Sequence, residues 1–336
     1  MLWLALILID VASWVNGQGG AAVRDTNGNI REVSLGYRWV TDTDMEILAQ
    51  CKHLTRLDMS LGQIGERGLA RLRELKTVTD LTLYYSEFVA DVAMANLRGW
   101  TQLERLNLRG TDITDTSLEY VGGFTNLKSL DISSTQITNN GLDHLGNLTQ
   151  LEELSLGGNK ISGQSLWFLR LLPKLRSLNV NGSQKRNSGT WVASITDFDL
   201  ELIGGLSSLE RLDLGGTKVT DLGLAKLSRL RKLKFLDLSR TAVTGAGLDN
   251  LKQTPTLERL NLWKAARVDD QAAPRLAALP NLAILDLAET AVTDRTLDTL
   301  TNARALKQLF LAGTQVTEAG VDAFRKKNPH CMVSWK

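Results

Sequence analysis

Twelve times along this chain an apolar residue opens a block of one design, and the spacing hardly varies. The openers are Ile30, Leu54, Val78, Leu103, Leu127, Leu151, Leu175, Leu209, Leu233, Leu257, Leu282 and Leu306. Successive openers lie 24 residues apart, with 25 at two places and 34 at one. The blocks LERLNLRGTDIT (103–114), LKSLDISSTQIT (127–138), LERLDLGGTKVT (209–220), LKFLDLSRTAVT (233–244) and LKQLFLAGTQVT (306–317) share the pattern L-x-x-L-x-L-x-x-T-x-[VI]-T. A degenerate thirteenth block follows, with His330, Val333 and Trp335 one further step along. A fixed period of this length specifies a stack of small units instead of one ordinary core.

The pattern also predicts structure inside each block. The alternation L-x-L is a short strand, its leucines inward and the residue between them outward. The second half, as in TDLGLAKLSRL (220–230), begins with Thr220 and Asp221. There a hydroxyl can cap free N–H groups, and a carboxylate can face the positive end of a helix. Leu224, Leu227 and Leu230 then fall on one side. No block can bury its own leucines, but stacked neighbours can bury one another's. Parallel strands pack about 4.8 Å apart, and the helices behind them need more room, so the stack should curve with its strands inside. Leu212, Leu214, Leu236 and Leu238 should be buried, with Asp213 and Asp237 exposed. One polar column (Thr111, Thr135, Asn159, Ser183, Thr217, Thr241, Thr290, Thr314) should bond turn backbone locally.

Over residues 30–336, about 13 units, these blocks resemble leucine-rich repeats. The L-x-x-L-x-L-x-x-T-x-[VI]-T-D-x-G-L form is similar to bacterial leucine-rich repeat proteins common in planctomycetes. It is more distantly similar to the repeats of F-box leucine-rich proteins. The family usually places Asn where this chain has its Thr column. The resemblance implies an α/β fold, a curved solenoid with a parallel sheet on the concave face and short helices on the convex face. Residues 1–29 then form an N-terminal helix and hairpin cap, with Asn27-Gly28 as the tight turn, or a partial signal segment. Residues 325–336 form a C-terminal cap in which Pro329 ends the last helix and Trp335 plugs the core. Caps matter because an open strand edge recruits other strands. Leu2 to Ile9 is an unbroken apolar run of signal-core length, too short to span a bilayer. No Lys or Arg precedes it, Asp10 follows at once, and Trp14 stands where small residues should lead to a cleavage site. As a cap it leaves the chain cytoplasmic; as a signal, residues 1–20 would make it secreted or periplasmic.

Nothing in the composition announces chemistry. A net charge of +2 exerts no global pull on nucleic acid or anionic membrane. The basic run Arg325 to Lys327 is a solvated helix end. Cys51 and Cys331 lie near opposite ends and fit no metal spacing, which leans toward a reducing compartment. No phosphate-binding glycine loop and no zinc motif occurs. Gly157-Gly158 and Gly215-Gly216 are strand-exit turn glycines. Ser133, Ser134 and Ser155 have no histidine in register, since His144 falls on the outer helix side. The middle-strand column, which includes Asp58, Asp131, Asp213, Asp237 and Asp286, brings carboxylates close, but L-D-L is the common spelling of such repeats. No catalytic residue, cofactor or metal site is assigned.

Binding is the remaining function class. The middle of the outward strand face is bare, whereas its two ends carry bulky side chains. Tyr84, Tyr85, Arg105 and Arg109 lie toward the start; Arg211, Phe235, Arg240, Arg259, Trp263, Lys264 and Phe310 lie further on. Exposed aromatics with Arg are the usual anchors of interfaces. Trp263 stands beside a one-residue insertion where Ala265 breaks the Thr column. The long step of 34 marks an insert, 184–194, between strand and helix of the seventh unit. It carries Lys185, Arg186 and Trp191, and projects from the rim as a tolerated loop, a flap over Trp167, Phe168 and Leu171, or a partner-binding loop. The expected function is a monomeric, non-catalytic scaffold that binds a protein partner and neither nucleic acid nor a membrane span. Two alternatives are a substrate-recognition subunit of a ubiquitin-ligase-like complex, which would need a separate adaptor since about 29 residues are too few for an F-box, and a glycan- or ligand-binding module.

Overall fold

The structure, a computed structural model, describes residues 10–186 and 189–336, and for 183–192 the backbone alone. The apolar run 2–9 lies outside the described residues. The chain divides into two compact units, 1–151 and 152–336.

In the first unit a short helix, α1 (Val11–Gly17), is capped by Asp10, whose carboxylate accepts from the Ser13 amide at 3.1 Å. Val11 and Val15 are its buried side. Strands β1 (Ala21–Arg24) and β2 (Ile30–Ser34) form an antiparallel hairpin around Asn27-Gly28, with Gly28 at φ 81°. Then β3 (Arg56–Asp58), β4 (Asp80–Thr82), β5 (Arg105–Asn107) and β6 (Ser129–Asp131) follow β2 in parallel. The register is Val33, Leu57, Leu81, Leu106, Leu130, the central inward residue of each strand.

The second unit repeats this design. Strands β7 (Glu153–Ser155) and β8 (Ser177–Asn179) come first, and the small hairpin of β9 (Ser183–Arg186) and β10 (Gly189–Val192) stands apart from the sheet. The sheet resumes with β11 (Arg211–Asp213), β12 (Phe235–Asp237), β13 (Arg259–Asn261), β14 (Ile284–Asp286), β15 (Gln308–Phe310) and β16 (Met332–Ser334), all parallel. Behind the strands lie short α-helices such as Asp294–Leu300 and 3-10 stretches such as Gly163–Leu171.

Leu212, Leu214, Leu236 and Leu238 are all at 0% exposure, so the strand phase is the expected one. Each such side chain is worth about 1.5–3 kcal/mol of burial, and each is covered by its neighbours' leucines. Asp213 and Asp237, expected to be exposed, are half-buried. They turn back on their own strand exits instead of extending into water. Asp213 accepts from the Gly215 amide and Asp237 from the Ser239 amide, at 2.9 and 2.8 Å. Asp58, Asn107, Asp131, Asn261 and Asp286 do the same two residues on. The L-D-L spelling therefore satisfies a strand-exit amide.

The threonine column acts locally. The hydroxyls of Thr111, Thr217, Thr241, Thr290 and Thr314 donate to the carbonyl three residues back, at 2.6–2.7 Å. The link between repeats comes from the T-D pair, in a way local helix logic does not predict. Thr114 donates both its amide (2.9 Å) and its hydroxyl (2.6 Å) to the carboxylate of Asp91, one repeat earlier. Asp115 receives Thr138 in the same way, Asp197 receives Thr220, Asp221 receives Thr244, Asp270 receives Thr293, and Asp294 receives Thr317. Each aspartate thus holds the helix entry of the next repeat, where it was expected to serve only its own. Burial alone would raise the pKa of Asp91, but hydrogen bonds from Ser117 and Thr114 outweigh it and hold the carboxyl below its ordinary range. Asp270 is held low in the same way by Thr296 and Thr293.

The insert does not disturb the stack. The Ala193 amide donates to the Gly182 carbonyl at 2.8 Å, which closes the base of the β9–β10 hairpin. Ala193, fully buried, takes the place in the polar column that the sequence suggested for Ser183, and Ile195 and Thr196 resume the pattern. Phe168, expected on the outer helix side, is fully buried, while Trp167 and Leu171 are about half exposed. At the C-terminus the helix Glu318–Lys327 precedes Pro329, and Phe324 and Val333 supply the buried surface. Trp335 does not plug the core; it is half-exposed, with its indole N–H donating to the Val316 carbonyl at 3.1 Å.

Two outcomes test this account. Leu236→Ala should cost on the order of 2–5 kcal/mol, as core truncations do, read from hydrogen exchange of its own and the flanking repeats. Asp91→Ala leaves the Thr114 and Ser117 donors without their charged acceptor and should cost about 1.5–3 kcal/mol, seen as faster exchange across Asp115–Val121. Because the folded-state pKa of Asp91 is lowered, its contribution is present above the ordinary carboxylate range. It should fade as the pH falls through the lowered value.

Candidate binding surface

The side chains between the inward leucines define the open face of each sheet. In the second unit, Arg211, Phe235, Arg259 and Ile284 stand in strict register on four successive strands. The guanidinium carbon of Arg211 lies over the Phe235 ring at 4.5 Å from its centroid, and that of Arg259 at 5.5 Å. A shallow groove of about 330 Å³ runs along this row. Two residues further along the strands the row changes sign to Asp213, Asp237, Asn261 and Asp286. Burial, and then the neighbouring Asp237 charge, raise the pKa of Asp213 despite the hydrogen bonds from Gly215 and Asn181. Burial and Asp237 raise that of Asp286 as well.

Beyond the strands each repeat except the hairpin-bearing one makes a tight exit turn. Its second residue has a left-handed backbone, at Gly158, Gly216 and Gly313 but also at Arg240, Lys264 and Glu289, with φ from 55° to 72°. In the first unit the same position is Gly110 and also Tyr37, Leu61, Tyr85 and Ser134. For a residue with a Cβ this costs roughly 1–2 kcal/mol. The cost is tolerated because the amide there completes the inter-repeat ladder: Tyr85 donates to Arg109 O at 2.7 Å, Arg240 to Trp263 O at 2.8 Å and Lys264 to Ala288 O at 2.9 Å. Glycine recurring in this register was the available sequence signal for the whole column.

Several candidate residues thus come together. Lys264 lies over the Trp263 ring at 4.5 Å, and both engage Glu289, through the indole N–H at 3.0 Å and the ammonium at 3.2 Å. Glu289, which sequence reasoning passed over, therefore orders Trp263. Phe310 is half-buried on β15, in register with Asp286. Arg240 is exposed on its turn. In the first unit Tyr84 and Tyr85 meet edge to face at 4.6 Å, and Arg109 lies 5.9 Å from the Tyr84 centroid. Arg105 pairs with Asp80, which Arg56 also approaches at 3.8 Å. The side chains of Lys185, Arg186 and Trp191 lie outside what the structure describes, so the flap reading is not placed. Phe198 and Leu222, equivalent positions just past the Asp of T-D-x, are 84% and 75% exposed beside the hairpin repeat, and sequence reasoning missed both. Tyr37 and Trp39 are also largely exposed.

Cys51 and Cys331 are free and buried, and burial raises both thiols, Cys331 to about 11. Among the described residues no group of three His, Cys, Asp or Glu is arranged to hold a metal ion, and no helix is long and apolar enough to cross a membrane.

Comparison with known proteins agrees with this geometry. Leucine rich repeat family models match residues 101–161, and 50–72 with 205–228. This is a leucine-rich repeat protein. Its α/β solenoid is similar to that of an internalin from Listeria monocytogenes, with a TM-score of 0.65 and 17% identity over 96% of this chain and 92% of that one. It is also similar to a leucine-rich repeat protein of Leptospira interrogans, with a TM-score of 0.58 and 19% identity over 86% of this chain and 74% of that one. At these identities the likeness is one of fold. No curated protein matches the chain.

Within this leucine-rich repeat protein the raised acid pKa values give a direct test. Asp213→Asn keeps an oxygen for the Gly215 amide and removes a half-buried charge beside Asp237. The melting temperature should rise at neutral pH. A carboxyl whose folded pKa is raised destabilises the fold when ionised, so the gain should vanish as the pH falls through that raised value toward the ordinary carboxylate range.

Proposed function

We propose that this leucine-rich repeat protein is a non-catalytic, monomeric scaffold that binds another protein on the open face of its sheets, with the β9–β10 hairpin as an accessory contact at the rim. The observation that carries this reading is the row of stacked Arg and aromatic side chains on rigid strands. Stacking pre-orders Arg211, Phe235 and Arg259, so binding loses less side-chain freedom than it would with mobile arginines. The left-handed turns at Tyr85, Arg240 and Lys264 support it too, since a backbone cost is accepted there where Gly stands in other repeats. The basic and aromatic character is local, on a chain of net charge +2, which favours a protein surface over nucleic acid.

Affinity capture from the native host, followed by mass spectrometry, tests the reading. The wild-type chain should retain one or a few proteins that Phe235→Ala and Trp263→Ala release, with the fold unchanged by circular dichroism. Removing residues 183–192 restores the 24-residue step and should leave the fold intact while weakening capture. Capture indifferent to all three changes would refute the proposed surface.

A further inference from the structure

The Arg211–Phe235–Arg259 row carries more specific information about what it binds. Among the described residues neither guanidinium has a hydrogen bond or an ion pair within 4 Å; each lies over the Phe235 ring, and Arg211 and Arg259 act on Asp213 and Asp286 only at longer range. The neighbouring cation in the same groove, Lys234, is by contrast paired with Glu210 at 2.8 Å. An arginine presents five N–H donors in a fixed fork that matches a carboxylate. Here two such forks are ordered by one ring, and their donors are unused.

The spacing narrows the partner. The two distances to the common ring place the guanidinium carbons within about 10 Å of each other. In an extended peptide, side chains at i and i+2 share a face and lie roughly 7 Å apart. A Glu-x-Glu segment crossing the strands would bring one carboxylate to each fork and lay its methylenes over Phe235. The strands themselves impose an orientation. The acids Asp213, Asp237 and Asp286 lie two residues further along, and Glu258 and the Lys234-paired Glu210 line the groove beside the row, so carboxylates around it confine the acidic segment to the two guanidiniums. We infer that the Arg211–Phe235–Arg259 row receives an extended acidic segment of a protein partner, two carboxylate side chains at i and i+2, one on each guanidinium.

This inference rests on the scaffold reading and is tested separately from it. The probe is the blocked peptide acetyl-Gly-Glu-Ala-Glu-Gly-amide, titrated at low salt and followed by NMR of the Phe235 ring and the arginine Nε–H signals. It should shift those signals saturably. Arg211→Gln and Arg259→Gln should each weaken it about tenfold, the loss of one charge-assisted pair, while amide exchange of the leucine core stays unchanged. The glutamine version should not bind, and acetyl-Gly-Glu-Glu-Ala-Gly-amide, with its acids on opposite faces, should bind more weakly. Equal binding by the glutamine peptide, or indifference to both arginine substitutions, overturns the inference. So does inorganic phosphate shifting the same signals at concentrations where the peptide does not. If the peptide fails while capture still depends on Phe235, only the acidic chemistry falls; if the peptide binds while capture ignores the sheet face, the scaffold reading falls instead.

Discussion

Every repeat in this protein depends on leucines that it cannot bury by itself. The inward residues of one strand and helix are covered by those of the repeats on either side, so the core is a relay and not a centre. That constraint accounts for the strict period. A unit with one residue too many must absorb it where the leucines are not involved. The extra residues of the two 25-residue steps and the ten of the β9–β10 hairpin all fall in the turn between strand and helix. The hairpin is pinched off at Gly182 and Ala193, and the next inward residues, Ile195 and Leu200, are fully buried as if no insertion existed.

Polar groups then fix what apolar burial leaves loose. Leucine contacts are non-directional and would tolerate sliding between repeats. The Asp-to-Thr links across the helix entries and the amide ladder through the exit turns allow one register. Within each unit both sets join neighbouring repeats, the Asp-to-Thr links at six junctions among the described residues, so the stacking is specified locally many times over. The half-buried Asp213 and Asp286 show the opposing tendency, carboxylates held in a partly desolvated row because each secures a strand-exit amide.

The same rigidity creates the proposed binding surface. A parallel sheet spaces its outward side chains evenly and holds them still, so a ring on one strand can order cations on both neighbours. Phe235 does this for Arg211 and Arg259, and Glu289 does it for Trp263 and Lys264. The left-handed turns carry Arg240 and Lys264 to the border of that face at a backbone cost which the inter-repeat amide bonds offset.

How much of this was legible beforehand follows from the range of the forces involved. Period, strand phase, the burial of Leu212 and Leu236, the N-terminal hairpin at Asn27-Gly28 and the local role of the Thr column could all be read from the sequence, because each depends on residues within one block. The tertiary structure alone decided that Asp221 serves Thr244 and not only its own helix, that Ala193 replaces Ser183 in the column, that Phe168 turns inward and that Trp335 stays half-exposed. It also decided which exposed residues meet. Arg211, Phe235 and Arg259 are 24 residues apart from one to the next, and nothing within a block says that two guanidiniums share one ring while the adjacent lysine finds a glutamate. Those outcomes depend on distances between repeats, which a linear sequence does not contain and stacking creates.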